Sequence, residues 1–313
     1  MTPTVILTNN DGRSTSEGVA LCKNGLLLVD KPAGVSSHDV VGRARRAART
    51  PRVGHAGTLD PFATGLLVLA VGNATRLLTY LDAEPKVYEA RFRFGFETDS
   101  DDATGVPTVT APLPDWTNLD RVISSFTGAQ LQTPPAYSAK HVDGERAYKK
   151  ARRGEVVALN AVEIVVHEWQ VVAQTADMLD VVITCKGGTY VRALARDLGR
   201  ALGSAAHCDT LRRMASGRCR IEQAVCFDTL ERGALADGLI PLLSPLAALQ
   251  DMTHVVIGAE VEADIRHGRS IAASEEGARA VLLRDDARLV AIAYRTDNNR
   301  WQPRVVLPSG DAG

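Results

Sequence analysis

The sequence predicts an α+β fold followed by a small β-rich C-terminal unit, on three observations. Residues Val87–Phe94 alternate strictly, with Tyr88, Ala90, Phe92 and Phe94 on one side and Glu89, Arg91 and Arg93 on the other. That is the period of a half-buried strand. Two apolar, β-branched runs, Ala161–Val172 and Met178–Lys186, flank the polar Gln174–Asp177 as the strands of an antiparallel hairpin do. Helical patterns fall between such runs without the regular β-α-β alternation of a parallel sheet, which favours α+β over α/β.

Taken in order, residues 1–23 are polar, carry no period and read as a loose N-terminal extension. Leu26–Asp30 is a strand that runs into a Lys-Pro-x-Gly turn. Ser36 and Ser37 supply an N-cap for a helix over Asp39–Ala48, with Val40 and Val41 inward. Leu66–Val71 is a buried strand and Asn73–Leu81 a second short helix. Thr98–Gly105 forms an acidic loop, Asp120–Phe126 has helical spacing, and Pro134-Pro135 enforces an extended segment. Gly187-Gly188 ends the hairpin, and a helix follows from Tyr190 to Leu202 with Val191, Leu194, Ala195 and Leu198 inward. From Pro241 onward, short strands at Ala280–Leu283, Leu289–Tyr294 and Arg304–Leu307 alternate with turns. The expected division is an extension at 1–23, a catalytic domain at 24–240 and a small domain at 241–313.

Composition bounds the function. With 45% hydrophobic residues the chain can bury a substantial core. No run approaches the ~20 apolar residues of a membrane span, and the N-terminus lacks the pattern of a secretory signal. Five cysteines without CxxC spacing point to reduced thiols, a cytoplasmic location and no metal site. The net charge of -1 does not advertise a nucleic-acid binder, but its distribution is uneven. Basic residues cluster at Arg43–Arg52, at Arg146–Arg153 and at Arg192–Arg220, whereas acids gather at Glu97–Asp102 and Glu260–Glu276. Such clusters are commonly just solvated faces. Around the candidate site they predict a cationic groove for a phosphate backbone.

The most informative stretch is Gly54-His55-Ala56-Gly57-Thr58-Leu59-Asp60-Pro61-Phe62-Ala63-Thr64-Gly65. One acid sits between glycine-bearing turns, ahead of a buried strand: a carboxylate on a stiff loop that another backbone can approach. By local pattern alone, Asp60 could equally be a turn residue before proline. This block resembles the catalytic loop of the TruB-type tRNA pseudouridine synthases. Four further blocks resemble the same family in the same order: Gly25–Gly34, Lys86–Ala90, Thr133–Lys140 and Lys186–Arg192. Together they span roughly residues 25–220, far more than one short motif.

The resemblance implies a pseudouridine synthase fold, with a largely antiparallel mixed central sheet flanked by helices and a C-terminal PUA-like RNA-binding domain. It implies conversion of uridine 55 in the TΨC arm of tRNA to pseudouridine, with no cofactor, no membrane and no obligatory protein partner, by a monomer. It assigns Asp60 as the nucleophile, acting at C1′ or at C6 of the ring. Arg192 is implied as its partner and Tyr88 as an active-site tyrosine that stacks on the base and helps move a proton. Tyr190 and Leu211 are implied to line the uracil site. His55 is implied to contact the flipped nucleotide, and Arg76 and Lys31 are candidate phosphate contacts. Pattern alone prefers core packing for Tyr88, leaves Tyr190 and Leu211 equally open to a core role, and reads His55 as structural or simply exposed.

Physical chemistry supports the central pair. Desolvation disfavours a charged carboxylate, and a neighbouring guanidinium restores and aims it. Two other readings use the same residues: a tRNA-folding chaperone working through the same groove, and a hydrolase with Asp60 in acid–base chemistry. The hydrolase is disfavoured because no second carboxylate accompanies Asp60 in its loop.

Overall fold

The computed structural model describes residues 24–308 other than 82–83, 139–140, 143–144, 147–149, 151–152, 154, 156–158, 232–239, 241 and 285–287. The expected N-terminal extension and Lys140 therefore lie outside the described residues, as does most of the Arg146–Arg153 cluster.

A ten-stranded mixed sheet forms the centre. Its order is Val225–Cys226, Gly25–Lys31, Thr64–Val71, Ala206–Ser216, Lys86–Phe94, Met178–Cys185, Val162–Gln174 and Gly128–Gln132. Val53–Ala56 pairs off this path with Thr64–Val71, and Cys219–Arg220 with Ala206–Ser216. Two of these pairings are parallel, Gly25–Lys31 with Val225–Cys226 and Ala206–Ser216 with Thr64–Val71; the rest are antiparallel. The α+β expectation is met, and the hairpin is present at Val162–Gln174 and Met178–Cys185.

The continuous apolar run at 66–71 has a simple cause. Leu67, Leu69 and Val71 face the core beneath the helices, while Leu66, Val68 and Ala70 face a second core shared with the C-terminal sheet. A strand covered on both sides loses its alternation. In Lys86–Phe94, only one side is covered, and Tyr88, Ala90, Phe92 and Phe94 are buried as the period requires.

The first helix runs Ser37–Ala47 behind a capping box in which Ser36 and Asp39 satisfy each other's backbone N–H groups. The expected helix at Asn73–Leu81 is instead a 3₁₀ helix, Gly72–Tyr80, whose Ala74 and Leu77 seal the second core. The helix Val191–Ala201 buries Val191, Leu194, Ala195 and Leu198, and Arg192 and Arg196 with them. The strand Ala206–Ser216 departs from the sequence expectation; four polar residues, His207, Asp209, Arg212 and Arg213, mask its period.

The C-terminal strands form a separate five-stranded sheet, ordered Thr253–Val256, Arg279–Leu283, Leu289–Arg295, Arg300–Val306 and Ile271–Ala272. Val281, Leu283, Leu289 and Ile292 pack into the second core, and Trp301 and Val290 into a third beneath the helix Ala259–Arg266. Leu26 and Leu243 exchange both backbone hydrogen bonds, at 2.8 Å each, where the two sheets meet.

Candidate active site

Asp60 and Arg192 come together from distant parts of the sequence. Arg192 Nε lies 2.8 Å from Asp60 Oδ2. The N–H is not aimed along that line, so the contact is a charge pair rather than an aligned hydrogen bond. The two partners differ in access: the Arg192 side chain is 3% exposed and that of Asp60 35%. The guanidinium is thus a fixed wall and the carboxylate the reachable group. Arg192 is held by Nη1 donating to Ser100 O at 2.6 Å and Nη2 donating to Tyr137 O at 3.0 Å. Asp102 Oδ2 stands 3.4 Å from Nη1. Asp102 Oδ1 in turn accepts from Ser100 Oγ, Thr104 N and Thr104 Oγ1 at 2.8, 2.9 and 2.6 Å. One buried guanidinium is therefore shared by two carboxylates, only one of which meets solvent.

The pair lies in a cleft of about 230 Å³ whose lining includes Asp60, Arg192, Tyr88, Tyr190, Leu211 and Lys86. Tyr88 is both core and site: it is 8% exposed, packs in the central core and borders the cleft. Tyr190 caps its helix without a side-chain bond, its N–H and carbonyl both bound by the Gln132 side chain at 2.9 and 3.0 Å. Burial pushes its phenol above the usual range. A partly exposed acid beside a buried cation, walled by two tyrosines and a leucine, leaves the cleft with one solvent-reachable carboxylate.

A family model described as TruB family pseudouridylate synthase (N terminal domain) matches residues 45–191. The tRNA pseudouridine synthase B of Solibacter usitatus (strain Ellin6076) is 40% identical over 294 residues, covering 91% of this chain and 100% of that one. Its counterpart from Thermobifida fusca (strain YX) is 42% identical over 294 residues, covering 91% and 98%.

The chain belongs to the TruB family of pseudouridine synthases.

A solved structure described as a Cbf5-Nop10-Gar1 complex shares the fold with a TM-score of 0.70 at 22% identity, over 93% of this chain and 87% of that one. An H/ACA RNP bound to a substrate RNA containing 2′-deoxyuridine gives a TM-score of 0.71 at 20% identity, over 93% and 88%. Both likenesses concern the fold alone.

Five of the eight residues expected from the TruB resemblance line the cleft: Asp60, Tyr88, Tyr190, Arg192 and Leu211. His55, Arg76 and Lys31 do not. His55 is half-buried on the Val53–Ala56 strand, with its Nδ1 buried beside the Gly57 backbone. Burial, and then the nearby Arg213 charge, pushes its imidazole below the usual range. Arg76 is exposed on the 3₁₀ helix, and its Nη1 donates to Val306 O of the C-terminal sheet at 2.8 Å. Lys31 is a correction: it is fully buried, and its ammonium donates to Val35 O, Pro32 O and Pro61 O at 2.7, 3.0 and 3.3 Å. Burial lowers its pKa to about 8, against the raising influence of Asp60. It ties down the Asp60 loop and offers nothing to a phosphate outside.

The Arg192–Arg220 cluster is a second correction. Arg196 pairs with Asp101 at 2.7 Å, Arg200 with Glu97 at 2.6 Å, Arg212 with Asp30 at 2.7 Å and Arg218 with Asp251. Arg213 and Arg220 donate to backbone carbonyls. The Glu97–Asp102 acids, which the sequence set apart from this cluster, are its partners. Sequence reasoning missed Lys86, which is 5% exposed and borders the cleft. The alternation that turned Tyr88 inward would have found it, two residues earlier on the same side.

Proposed function

We propose that this chain isomerises uridine 55 in the TΨC arm of tRNA to pseudouridine, with Asp60 as the nucleophile. The observation that carries this reading is the solvent-reachable Asp60 carboxylate against the buried Arg192 guanidinium, in a cleft sized for one base. The reaction breaks N1–C1′, turns the detached uracil, forms C5–C1′, moves the C5 proton away and leaves a proton on N1. It is redox-neutral and needs no group donor, so the chain's own residues supply what it requires. Asp60 attacks C1′ or C6 of the ring. Arg192 keeps that oxygen pair charged and aimed. In this reading Tyr88 and Leu211 hold the base, the Tyr88 hydroxyl assists proton movement, and Tyr190 closes the wall. The reacting nucleotide leaves its stack to enter, because neither carbon is accessible inside a stacked loop.

Binding of the rest of the RNA rests on shape and phosphate contacts, since aromatic residues make up only 5% of the chain. A recess of about 490 Å³, lined by Arg43 and Arg46 with His38 and one acid, Asp39, opens beside Gly34, whose N–H donates to Pro61 O. Exposed Arg76, Arg279 and Arg304 lie on or against the C-terminal sheet and form no ion pair among the described residues. These positions support residues 241–313 as a PUA-like RNA-binding domain beside a catalytic domain at 24–240.

Tritium release from tRNA transcribed with 5-tritiated uridine tests the proposal. The parent protein is expected to release label from one position, and Asp60→Asn to lower the rate roughly 10⁴-fold or more while still binding tRNA. Equal release by both proteins overturns the assignment. Refolding of tRNA by a parent that releases nothing would favour the chaperone reading.

A further inference from the structure

We propose that Arg213 is a positioning residue for the proposed nucleophile: its buried guanidinium fixes the Gly57–Thr58 backbone from behind the cleft and brings there a positive charge that no carboxylate neutralises. The inference rests on the reading of Asp60 as the reacting group.

Arg213 is among the largest fully buried side chains, 1% exposed. Its Nε donates to Leu66 O at 2.7 Å, Nη2 to Gly57 O at 3.2 Å and Nη1 to Thr58 O at 3.5 Å. The Thr58 and Gly57 carbonyls lie two and three residues ahead of Asp60, and 155 and 156 residues from Arg213 in sequence. The neighbouring arginines Arg192, Arg196, Arg200 and Arg212 all meet an acid. Arg213 forms no ion pair among the described residues. A buried cation without a counter-ion is costly, and hydrophobic packing would be the cheaper filler. Its retention here is explained by work that only a charged fork can do.

The surrounding backbone is shaped around it. Gly65 pairs with Arg213 across parallel strands and has φ +98. A Cβ on Gly65 would stand 2.4 Å from Arg213 O, so only glycine lets the two strands meet at this register. Two other buried side chains grip the same loop. Ser37 Oγ donates to Leu59 O and accepts from Leu59 N, both at 2.9 Å. Lys31 donates to Pro61 O. The backbone is thus fixed at residues 57, 58, 59 and 61, and of these three anchors only Arg213 also borders the cleft. Its charge reaches further than its hydrogen bonds: burial is the main cause that lowers the pKa of Lys31 and His55, and the Arg213 charge adds to it in both.

The test uses the full chain, the tritium-release assay with tRNA transcript, and the imidazole signals of His55 by NMR. Arg213→Met is expected to lower kcat ~100-fold with KM within ~3-fold, the signature of a misaimed group rather than lost RNA binding. Arg213→Lys, which keeps the charge but loses the fork, is expected to lower kcat ~10-fold. The His55 titration midpoint should rise in Arg213→Met, where the repelling charge is gone, and stay low in Arg213→Lys. Parental kcat in either variant, or an unmoved His55 midpoint in Arg213→Met, overturns the proposal. If Arg213→Met fails to fold, Arg213→Lys carries the kcat test alone. An inactive parent would overturn the Asp60 reading instead, and the His55 titration, which needs no turnover, would still decide whether Arg213 sets the charge behind the loop.

Discussion

Two carboxylates paired with arginines, one near the cleft and one on the helix Ala259–Arg266 that packs against the C-terminal sheet, respond in opposite directions. Asp101 is buried, has a left-handed backbone (φ 59) and touches one guanidinium, Arg196 Nη1, at 2.7 Å. Burial outweighs that partner and pushes its carboxyl up to about 6. Glu262 is gripped by Arg266 at 2.6 Å, Arg288 at 3.0 Å and Arg284 at 3.5 Å. Its hydrogen bonds from Arg288 lead in holding it down to about 2. The cleft side accepts desolvated charge and a rarely populated backbone geometry to place its groups. The C-terminal sheet uses the same residue types to hold itself together. Charge serves placement in one region and cohesion in the other.

Substitutions should separate the two regions. The largest expected effect after Asp60→Asn is Arg192→Lys, which keeps the charge but not the fork and should lower turnover ~10²–10³-fold. Tyr88→Phe should cost ~10²-fold if its hydroxyl moves a proton, and almost nothing if the ring only packs. Neither change should shift the unfolding temperature of the C-terminal sheet. Parental turnover in Arg192→Lys would remove the reason for calling the cleft a placement site.

Glu262→Gln should do the reverse. It leaves three guanidinia facing one another and should cost about 2 kcal/mol after allowance for solvent screening, with tritium release at 25 °C unchanged. Thermal unfolding followed by circular dichroism measures the first, and the release assay the second.

The smallest effect is one of pH. Glu262 has a folded pKa below its ordinary 4.5, so the stability it contributes is complete above that value and is lost as pH falls toward about 2. Asp101 has a folded pKa above its ordinary 3.8. It burdens the fold above about pH 6, and that burden lifts as pH falls from 6 toward 3.8. Hydrogen exchange at pH 5 should therefore find the Glu97–Asp102 loop slightly better protected than at pH 7, and the Ala259–Arg266 helix should loosen first below pH 4. The opposite order would reject the contrast.

Much of the fold was legible because periodicity is local. The strand at 86–94, the hairpin, the capped helix at 37–47 and the C-terminal strands all follow from spacing along the chain. The candidate site was legible only through motif resemblance, which named five of the residues that line the cleft. Partners far apart in sequence were not legible. The pairs 60–192, 101–196, 97–200, 30–212 and 218–251 join segments that no local pattern connects. Unaware of them, a sequence reading turns neutralised arginines into an RNA-binding face. Lys31 failed for the same reason: nothing near a Lys-Pro turn reveals that its ammonium points inward at three carbonyls.

The arginines of the Val191–Ala201 helix fall at 192, 196 and 200, each gripping a different acid of a single loop. Steps of four keep them on one side of a coil that turns about 100° per residue. Inserting or deleting a residue anywhere between the first and the last would rotate part of that row away from its acids. Gradual drift in length is therefore closed to this segment, while single-letter changes on its opposite flank remain open.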